Sequence, residues 1–238
     1  MRQIVIEREL KKIANKEKAK NLSRFFKTSK GEYGEGDLFL GVSVPHIRRI
    51  VRANVHVTLD DVARLCRSKF HEIRLAGLLT LVYRWKKADA EERREMYRCY
   101  LRQLPGINNW DLVDVTTPTV VGEYLYQNPK ERKILYTFSR SSNVWKRRIA
   151  VLATAAFIRR GRLEETLLLA RKLLYDKHDL IHKAVGWMLR EVGKKNKALL
   201  EDFLHQYAEK MPRTMLRYAI ERFPDSQRRR LLQGKVAR

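Results

Sequence analysis

One pattern, a basic residue close to a small alanine and an adjoining apolar run, occurs three times in this chain: HEIRLAGLL (71–79), WKRRIAVLA (145–153) and IHKAVGWML (181–189). When Ala76, Ala150 and Ala184 are aligned, they lie 74 and 34 residues apart, which leaves room for one further copy near residues 111–115. A period of about 34 to 40 residues that contains two helices is typical of HEAT-like repeats. The sequence therefore predicts an all-α, HEAT-like helical-repeat solenoid.

Apolar residues recur at three- and four-residue spacing along most of the chain, which indicates amphipathic helices. Helix boundaries are predicted from residues that favour helix starts and ends. The predicted starts are Ser43 with Pro45 and a capping box of Thr58 with Asp61, and the predicted ends are Gly161 and Gly193. The segment 37–44 is the one stretch that resembles a β-strand.

The length of 238 residues predicts a single domain, 1–238. Within it we distinguish four regions by composition: an N-terminal helical region (1–30), a glycine-rich loop (31–44), the helical repeats (45–223) and a basic C-terminal tail (224–238). The first 20 residues look like one charged helix, and the tail is expected to fray.

The chain carries 51 Lys and Arg against 27 Asp and Glu, a formal net charge of +24. Its folded surface must therefore attract polyanions, and nucleic acid is the partner that this charge favours. Ribosomal, membrane-surface and heparin-binding proteins share the same bias. In a curved repeat stack, equivalent helices line the concave side, so we expect this side to be a basic DNA-binding face.

Other classes of protein are disfavoured by what the sequence contains. Cys66 and Cys99 have no metal-type spacing, so we expect neither a disulfide framework nor a zinc site. The charged N-terminus does not resemble a secretory signal, and the longest apolar run, near 149–158, is too short to cross a membrane. We expect a soluble, cytoplasmic monomer that binds no metal and no small-molecule cofactor.

The segment NNWDLVD (108–114) places an aromatic ring and a carboxylate, Trp110 and Asp114, on one face of a helix. The repeat alignment predicts that Asp114 faces a common groove with Arg74, Arg148 and His182. A tryptophan of this kind is usually a core residue, and such an aspartate is usually a helix-start residue. A carboxylate kept in a DNA-binding groove, however, opposes phosphate binding and therefore suggests a chemical role.

Hydrolysis of an N-glycosidic bond would use such a carboxylate. The sugar becomes positively charged as the bond breaks, so one carboxylate can stabilise it and orient the attacking water. An N3- or N7-alkylated purine already carries a positive charge and leaves as a neutral base, so no second group is needed to protonate it. Aromatic faces nearby would attract the cationic lesion by roughly 0.5 to 2 kcal/mol each.

Five segments together resemble the AlkD family of DNA alkylation-repair glycosylases: GEYGEGDLFLGVSVP (31–45), NNWDLVDVTTPTVVG (108–122), VWKRRIAV (144–151), DLIHKAVGWMLREVGK (179–194) and MPRTMLRYAIERF (211–223). The resemblance implies a protein that cradles duplex DNA containing alkylated bases. It further implies excision of 3-methyladenine and 7-methylguanine to leave an abasic site, without a base-flipping pocket.

Roles for individual residues follow from the matching segments. The resemblance implies that Asp114 is the catalytic carboxylate, that Trp110 and Trp187 contact the damaged nucleotide, and that Arg148 contacts the DNA backbone. Further basic residues in or beside these segments are predicted to bind DNA: Arg147, His182, Lys183, Arg213 and Arg217.

Three alternatives stay open. His178 and His182, with Asp176 nearby, have the spacing of a metal site on one helix face, although a phosphate contact for His182 is the preferred interpretation. Lys183 is the one lysine considered for Schiff-base chemistry, which we do not expect. The protein as a whole is alternatively a non-catalytic, nucleic-acid-binding scaffold, or a glycosylase specialised for bulky adducts.

Overall fold

The computed structural model describes residues 4–234, and its regular elements are helical. They are α1 (Val5–Lys12), α2 (Lys16–Phe25), α3 (Val44–Ala53), α4 (Leu59–Cys66), α5 (His71–Trp85), α6 (Ala90–Arg102), α7 (Trp110–Asp114), α8 (Glu123–Gln127), α9 (Lys133–Ser139), α10 (Val144–Ala153), α11 (Ala155–Arg159), α12 (Glu164–Lys172), α13 (Asp179–Lys195), α14 (Lys197–Tyr207), α15 (Arg213–Ala219) and α16 (Asp225–Leu232). Short 3₁₀ turns occur at Leu104–Gly106, Pro129–Glu131 and Ala208–Lys210, and Pro118–Gly122 forms a π-helical turn. The all-α prediction is confirmed.

The internal contacts divide the chain into two compact units, one up to Tyr124 and one from Leu125 onward. In the first unit, α5 is the central helix and packs against α1, α3, α4, α6 and α7. Its residues from His71 to Leu81 are buried without a break. A helix that is enclosed on all sides has no solvent-facing polar side, so residues 75–81 are almost all apolar, whereas the buried His71, Glu72 and Arg74 in its first turn need polar partners inside the protein.

The second unit is built around α13, which packs against α10, α11, α12, α14 and α15. Its buried positions include Ile181, Ala184, Val185, Met188 and Leu189, at the spacing that puts them on one broad face. The segments around Ala76, Ala150 and Ala184 thus lie in α5, α10 and α13, and all three alanines are fully buried.

Most of the predicted helix boundaries agree with the structure. Helix α3 begins after Ser43 with Pro45 in its first turn, and Thr58 with Asp61 forms a complete capping box at the start of α4. Gly161 follows α11 with a φ of +75°, a conformation that side chains with a Cβ rarely adopt.

The prediction that Gly193 ends a helix is wrong, since α13 continues to Lys195. A Cβ on Gly193 would lie 2.4 Å from Cδ2 of Leu200 in α14. The glycine is therefore explained by close packing between two helices, and not by a helix end. Tertiary packing here outweighs the low helix propensity of glycine.

Three further expectations need correction. Segment 37–44 is not a strand, because its β-type pairing is limited to an isolated bridge between Leu38 and Phe70. The N-terminal region contains two helices, because Asn15 caps the start of α2 by accepting a hydrogen bond from Lys18 N at 2.9 Å. The tail contains α16, while residues 235–238 lie outside the described part.

Among the described residues, 4–234, no helix combines the length and the apolar character needed to cross a membrane.

Candidate active site

Trp110 and Asp114 are the first and last residues of α7, a helix of five residues. Their i, i+4 spacing puts the indole and the carboxylate on the same face, and both residues are half-buried. Asn109 caps the start of the helix, because its Oδ1 accepts a hydrogen bond from Trp110 N at 2.8 Å. A helix this short is not stable alone, so its position depends on the contacts at its two ends.

An aromatic cluster, formed by Phe25, Phe26, Phe39 and Trp110, surrounds the start of α7. Trp110 stacks on Phe26 with ring centroids 5.4 Å apart, and Phe26 stacks on Phe39 at 5.2 Å. Phe25 contacts Trp110 edge-on at 6.0 Å, and 63% of Phe25 is exposed. The cluster therefore runs from a buried base to an open aromatic surface beside Trp110.

Below the aromatic cluster lies a buried ion network of Asp37, His71, Arg74 and Asp111. His71 Nδ1 lies 3.1 Å from Asp37 Oδ2, and His71 Nε2 lies 2.8 Å from Asp111 Oδ2. Arg74 Nη2 donates to the other oxygen of Asp37 at 2.6 Å. His71 is 1% exposed and Asp111 is 9% exposed, so these charges lie almost wholly in the interior.

The network raises the pKa of His71 and lowers the pKa of Asp37. Burial opposes a charge on His71, but hydrogen bonds to the carboxylates of Asp111 and Asp37 outweigh it and raise the pKa of His71 to about 9. Burial likewise opposes the charge of Asp37, but its hydrogen bond to His71 and the nearby Arg74 keep the pKa of that carboxyl below its usual value. At neutral pH, His71 is therefore an imidazolium ion beside ionised Asp37.

The segment that follows α7 is held by Tyr100, which is fully buried in α6. Its hydroxyl lies 2.8 Å from Thr117 Oγ1 and accepts a hydrogen bond from Thr116 Oγ1 at 3.2 Å. Burial raises the pKa of Tyr100 to about 12, and the nearby charge of Asp114 acts in the same direction. These hydroxyl contacts fix Thr116 and Thr117, which lie between Asp114 and the π-helical turn that begins at Pro118.

Glu72, next to His71 on α5, holds the loop that carries Asp37 and Phe39. Its buried carboxylate accepts hydrogen bonds from the backbone N–H groups of Leu40, Gly41 and Val42 at 2.9, 2.8 and 3.2 Å. The glycine-rich loop is therefore ordered at this end by an acidic side chain that the sequence analysis did not select.

The expectation that Arg74 faces an open groove is wrong. Besides Asp37, its guanidinium donates to the carbonyl oxygens of Gly106 and Ser68 and to Asn108 Oδ1 at 2.9 to 3.0 Å. Arg74 is 4% exposed. A side chain that is bound on all sides by the protein stabilises the loops around it and has no free face for phosphate.

In the second unit, Arg147 on α10 forms a two-point ion pair with Asp176, at 2.7 and 3.3 Å. Its remaining bonds go to the carbonyl oxygens of Ser141 and Ser142, both at 2.8 Å. His182 Nε2 bonds to the backbone oxygen of Asp176. The hydrogen-bond donors of Arg147 are therefore engaged within the protein, and its predicted role in DNA binding stays a prediction.

Arg148 is 5% exposed, and one of its bonds goes from Nη1 to the carbonyl oxygen of Leu180 at the start of α13. Trp187 lies further along α13 and is half-buried. The predicted contacts of Arg148 and Trp187 with DNA stay predictions.

The other predicted DNA-binding residues lie nearer the surface. Lys183 pairs with Asp179 one turn earlier on α13 at 2.8 Å. Arg213 and Arg217 are exposed residues of α15, and Arg213 donates to the carbonyl oxygen of Leu232. Arg217 lies in the last turn of α15.

The histidine pair considered as a metal site has other partners. His178 Nδ1 accepts from Leu180 N at 3.2 Å as the cap of α13, and Asp176 is paired with Arg147. Within residues 4–234, no group of three or more His, Cys, Asp or Glu side chains is arranged to hold a metal ion.

Sequence reasoning missed Phe25, Phe26, His71 and Asp111 as parts of the site. The available signals were the paired phenylalanines at the end of a charged helix and the aspartate one residue after Trp110. His71 gave no signal, because its partners Asp37 and Asp111 are 34 and 40 residues away in sequence.

Comparisons with known proteins identify the family and the fold. Residues 6–223 match the family model described as DNA alkylation repair enzyme. A solved structure described as a predicted DNA alkylation repair enzyme from Enterococcus faecalis is similar in fold, with a TM-score of 0.69 and 16% identity over 89% of this chain and 97% of that one. A search of curated proteins gives no match. The predicted all-α, HEAT-like fold is confirmed, and the chain belongs to the DNA alkylation repair enzyme family.

Proposed function

We propose that this protein is a DNA glycosylase that hydrolyses the N-glycosidic bond of positively charged alkylpurines, such as 3-methyladenine and 7-methylguanine, in duplex DNA. Asp114 is the catalytic carboxylate. The observation that carries the proposal is the position of Asp114 one turn after Trp110, whose ring continues the partly exposed aromatic cluster.

The chemistry requires a negative charge beside an aromatic face. The aromatic surface of Trp110 and Phe25 attracts a cationic nucleotide, and the carboxylate of Asp114 stabilises the positive charge that develops on the sugar. The same carboxylate orients the water that attacks the sugar, and the base leaves as a neutral molecule. One carboxylate is therefore sufficient.

The openness of the aromatic cluster supports excision without a closed base pocket. Phe25 is 63% exposed, so the surface beside Trp110 is accessible to a nucleotide that remains in the duplex. Enzymes that flip bases instead stack them in an enclosed pocket. The net charge of +24 supports binding to the DNA backbone, because each neutralised phosphate releases counterions.

Analysis of the products tests the proposal against other routes of alkylation repair. Duplex DNA carrying 7-methylguanine and 3-methyladenine is incubated with the protein, and free bases and abasic sites are quantified in parallel. A glycosylase releases one free methylated base for each abasic site. Loss of the methyl group with the base retained in DNA would show direct reversal, and the proposal would be wrong.

The exposed edge of the cluster favours one narrower possibility, a preference for bulky adducts. Phe25, which contacts Trp110, is 63% exposed, so this end of the aromatic cluster is open to a large group on the lesion. Release of large N-alkyl adducts at rates above that for 7-methylguanine would support this preference. Binding of undamaged DNA without release of any base would instead support a non-catalytic scaffold.

A further inference from the structure

The buried ion network joins three separate parts of the first unit. Asp37 belongs to the glycine-rich loop, His71 and Arg74 to α5, and Asp111 to the first turn of α7. Asn108 closes the network by donating to Asp37 Oδ1 at 2.8 Å and accepting from Arg74 Nη2 at 2.9 Å. The loop, the central helix and the helix that carries Asp114 are therefore connected by charge-assisted hydrogen bonds.

His71 can make both of its contacts only as a double donor. A neutral imidazole has one N–H, so one of its nitrogens would face a carboxylate oxygen with lone pair against lone pair. The imidazolium ion donates from Nδ1 to Asp37 and from Nε2 to Asp111. The charged groups that face the ring are Asp37, Asp111 and Arg74, and the two carboxylates outweigh the arginine.

The aromatic cluster fixes the plane of the His71 ring. Phe39 stacks on the imidazole with centroids 4.8 Å apart, and Phe26 packs against it at 4.9 Å. Phe26 is also the ring on which Trp110 stacks. His71 is thus connected to α7 twice, through Asp111 by a hydrogen bond and through Phe26 by ring contact.

Asp111 connects His71 to the backbone of α7. Its Oδ1 accepts the backbone N–H of Leu112 at 2.9 Å while its Oδ2 faces His71. Trp110 precedes it directly, and Asp114 follows within the same five-residue helix. A shift of Asp111 would therefore move both residues of the proposed site, since α7 is too short to keep its own position.

We propose that His71 is a positioning residue: as an imidazolium ion it holds Asp111, and through it α7, so that Trp110 and Asp114 keep the geometry required for excision. This role rests on the proposed glycosylase function and extends it to a residue that does not touch DNA. Misplacement of a reacting group by about 1 Å is enough to slow a reaction about 100-fold.

The test compares His71→Gln with Glu72→Gln. The neighbouring Glu72 is a matched control, because it is equally buried on α5 and holds the same loop, but its hydrogen bonds go to the loop backbone and not to α7. For each variant we would measure the folded fraction, the single-turnover excision rate per folded molecule, and the affinity for methylated DNA.

We expect His71→Gln to slow excision roughly 10- to 100-fold at nearly unchanged DNA affinity, because the single NH2 group of Gln cannot take the positions of both ring nitrogens and carries no charge. Glu72→Gln is expected to lower stability and, because Glu72 has no hydrogen bond to α7, to slow excision by the folded molecules much less than His71→Gln does. Equal excision rates in His71→Gln and the parent would overturn the inference, as would equal slowing in both variants.

NMR gives a readout that does not depend on catalysis. The ¹⁵N-labelled imidazole of His71 is expected to show two N–H groups at pH 7. The indole N–H resonance of Trp110 is expected to shift as His71 loses its proton near pH 9. This shift is expected to be absent in His71→Gln. One N–H at pH 7, or a Trp110 signal unaffected by the variant, would overturn the inference.

If His71→Gln does not fold, Asp111→Asn provides the same test. The neutral amide keeps an oxygen for His71 but removes one of the two charges that favour the imidazolium, so the Trp110 titration is expected to move to lower pH. A Trp110 titration with the same midpoint pH in Asp111→Asn and in the parent would contradict the inference. A parent protein that shows the NMR behaviour but releases no base would refute the proposed function and leave the contact between His71 and α7 established.

Discussion

The rings of Phe26 and Trp110 stack on each other, with centroids 5.4 Å apart and planes inclined by 25°. Phe26 is 8% exposed, whereas its neighbour Phe25 contacts the same indole edge-on and is 63% exposed. Two adjacent phenylalanines thus contact one tryptophan, one from the core and one from the surface. They are expected to contribute to different properties of the protein.

Alanine substitutions separate these properties. Phe26→Ala removes a buried ring and is expected to lower the free energy of unfolding by about 3 kcal/mol. Phe25→Ala is expected to change it by less than about 1 kcal/mol, because most of the ring is already in water, but to weaken binding of lesion-containing DNA. Urea unfolding and binding titrations measure the two effects. A larger loss of stability in Phe25→Ala than in Phe26→Ala would contradict this division.

Stability is expected to depend on pH through His71. Its pKa in the folded protein, about 9, is raised above the value of about 6.5 for an unfolded chain, so the folded state binds the proton more tightly. The stabilisation is therefore complete below about pH 6.5 and is lost as the pH rises toward 9, on the order of 3 kcal/mol in total. Urea unfolding between pH 6 and 8.5 should show the decline in the parent.

The same series with His71→Gln is the control, because this side chain does not titrate. The decline should disappear in the variant, while the contributions of cysteines and tyrosines at higher pH remain in both proteins. A parent protein whose free energy of unfolding is constant over this interval would show that His71 is not held as a cation.

Much of the fold follows from the sequence alone, because helix periodicity and caps are local signals. The capping box of Thr58 and Asp61 is an example, since it involves residues only three apart. Gly193 shows the limit of local signals. Its place inside α13 depends on Leu200 of the next helix, which no cap or propensity rule includes.

The candidate site was only partly predictable for the same reason. Trp110 and Asp114 share one helical turn, so their common face can be inferred from spacing. The contacts of His71 with Asp37 and Asp111 span 34 and 40 residues and depend on how the loop folds over α5. Likewise, the ion pairs of buried Arg74 and half-buried Arg147 depend on Asp37 and Asp176, which a count of basic residues does not reveal.

The structure separates two of the arginines predicted to bind DNA. Arg217→Gln removes an exposed charge and is expected to leave stability unchanged. The slope of the logarithm of the DNA-binding constant against the logarithm of the salt concentration is expected to become less steep by about 1. Arg147→Gln leaves Asp176, whose side chain is 6% exposed, without its two-point partner and is expected to cost about 2 kcal/mol of stability. Salt titrations of duplex binding and urea unfolding test both variants, and a reduced salt slope in Arg147→Gln alone would reverse these assignments.

The role of Asp114 is tested most directly by single-turnover release of 7-methylguanine from methylated duplex DNA by the parent, Asp114→Asn and Asp60→Asn. Asp60 lies exposed in the first turn of α4, so its variant removes the same charge away from α7. We predict that Asp114→Asn lowers the rate at least about 100-fold without weakening DNA binding, whereas Asp60→Asn excises like the parent. Excision by Asp114→Asn at the parent rate would contradict the assignment of Asp114 as the catalytic carboxylate.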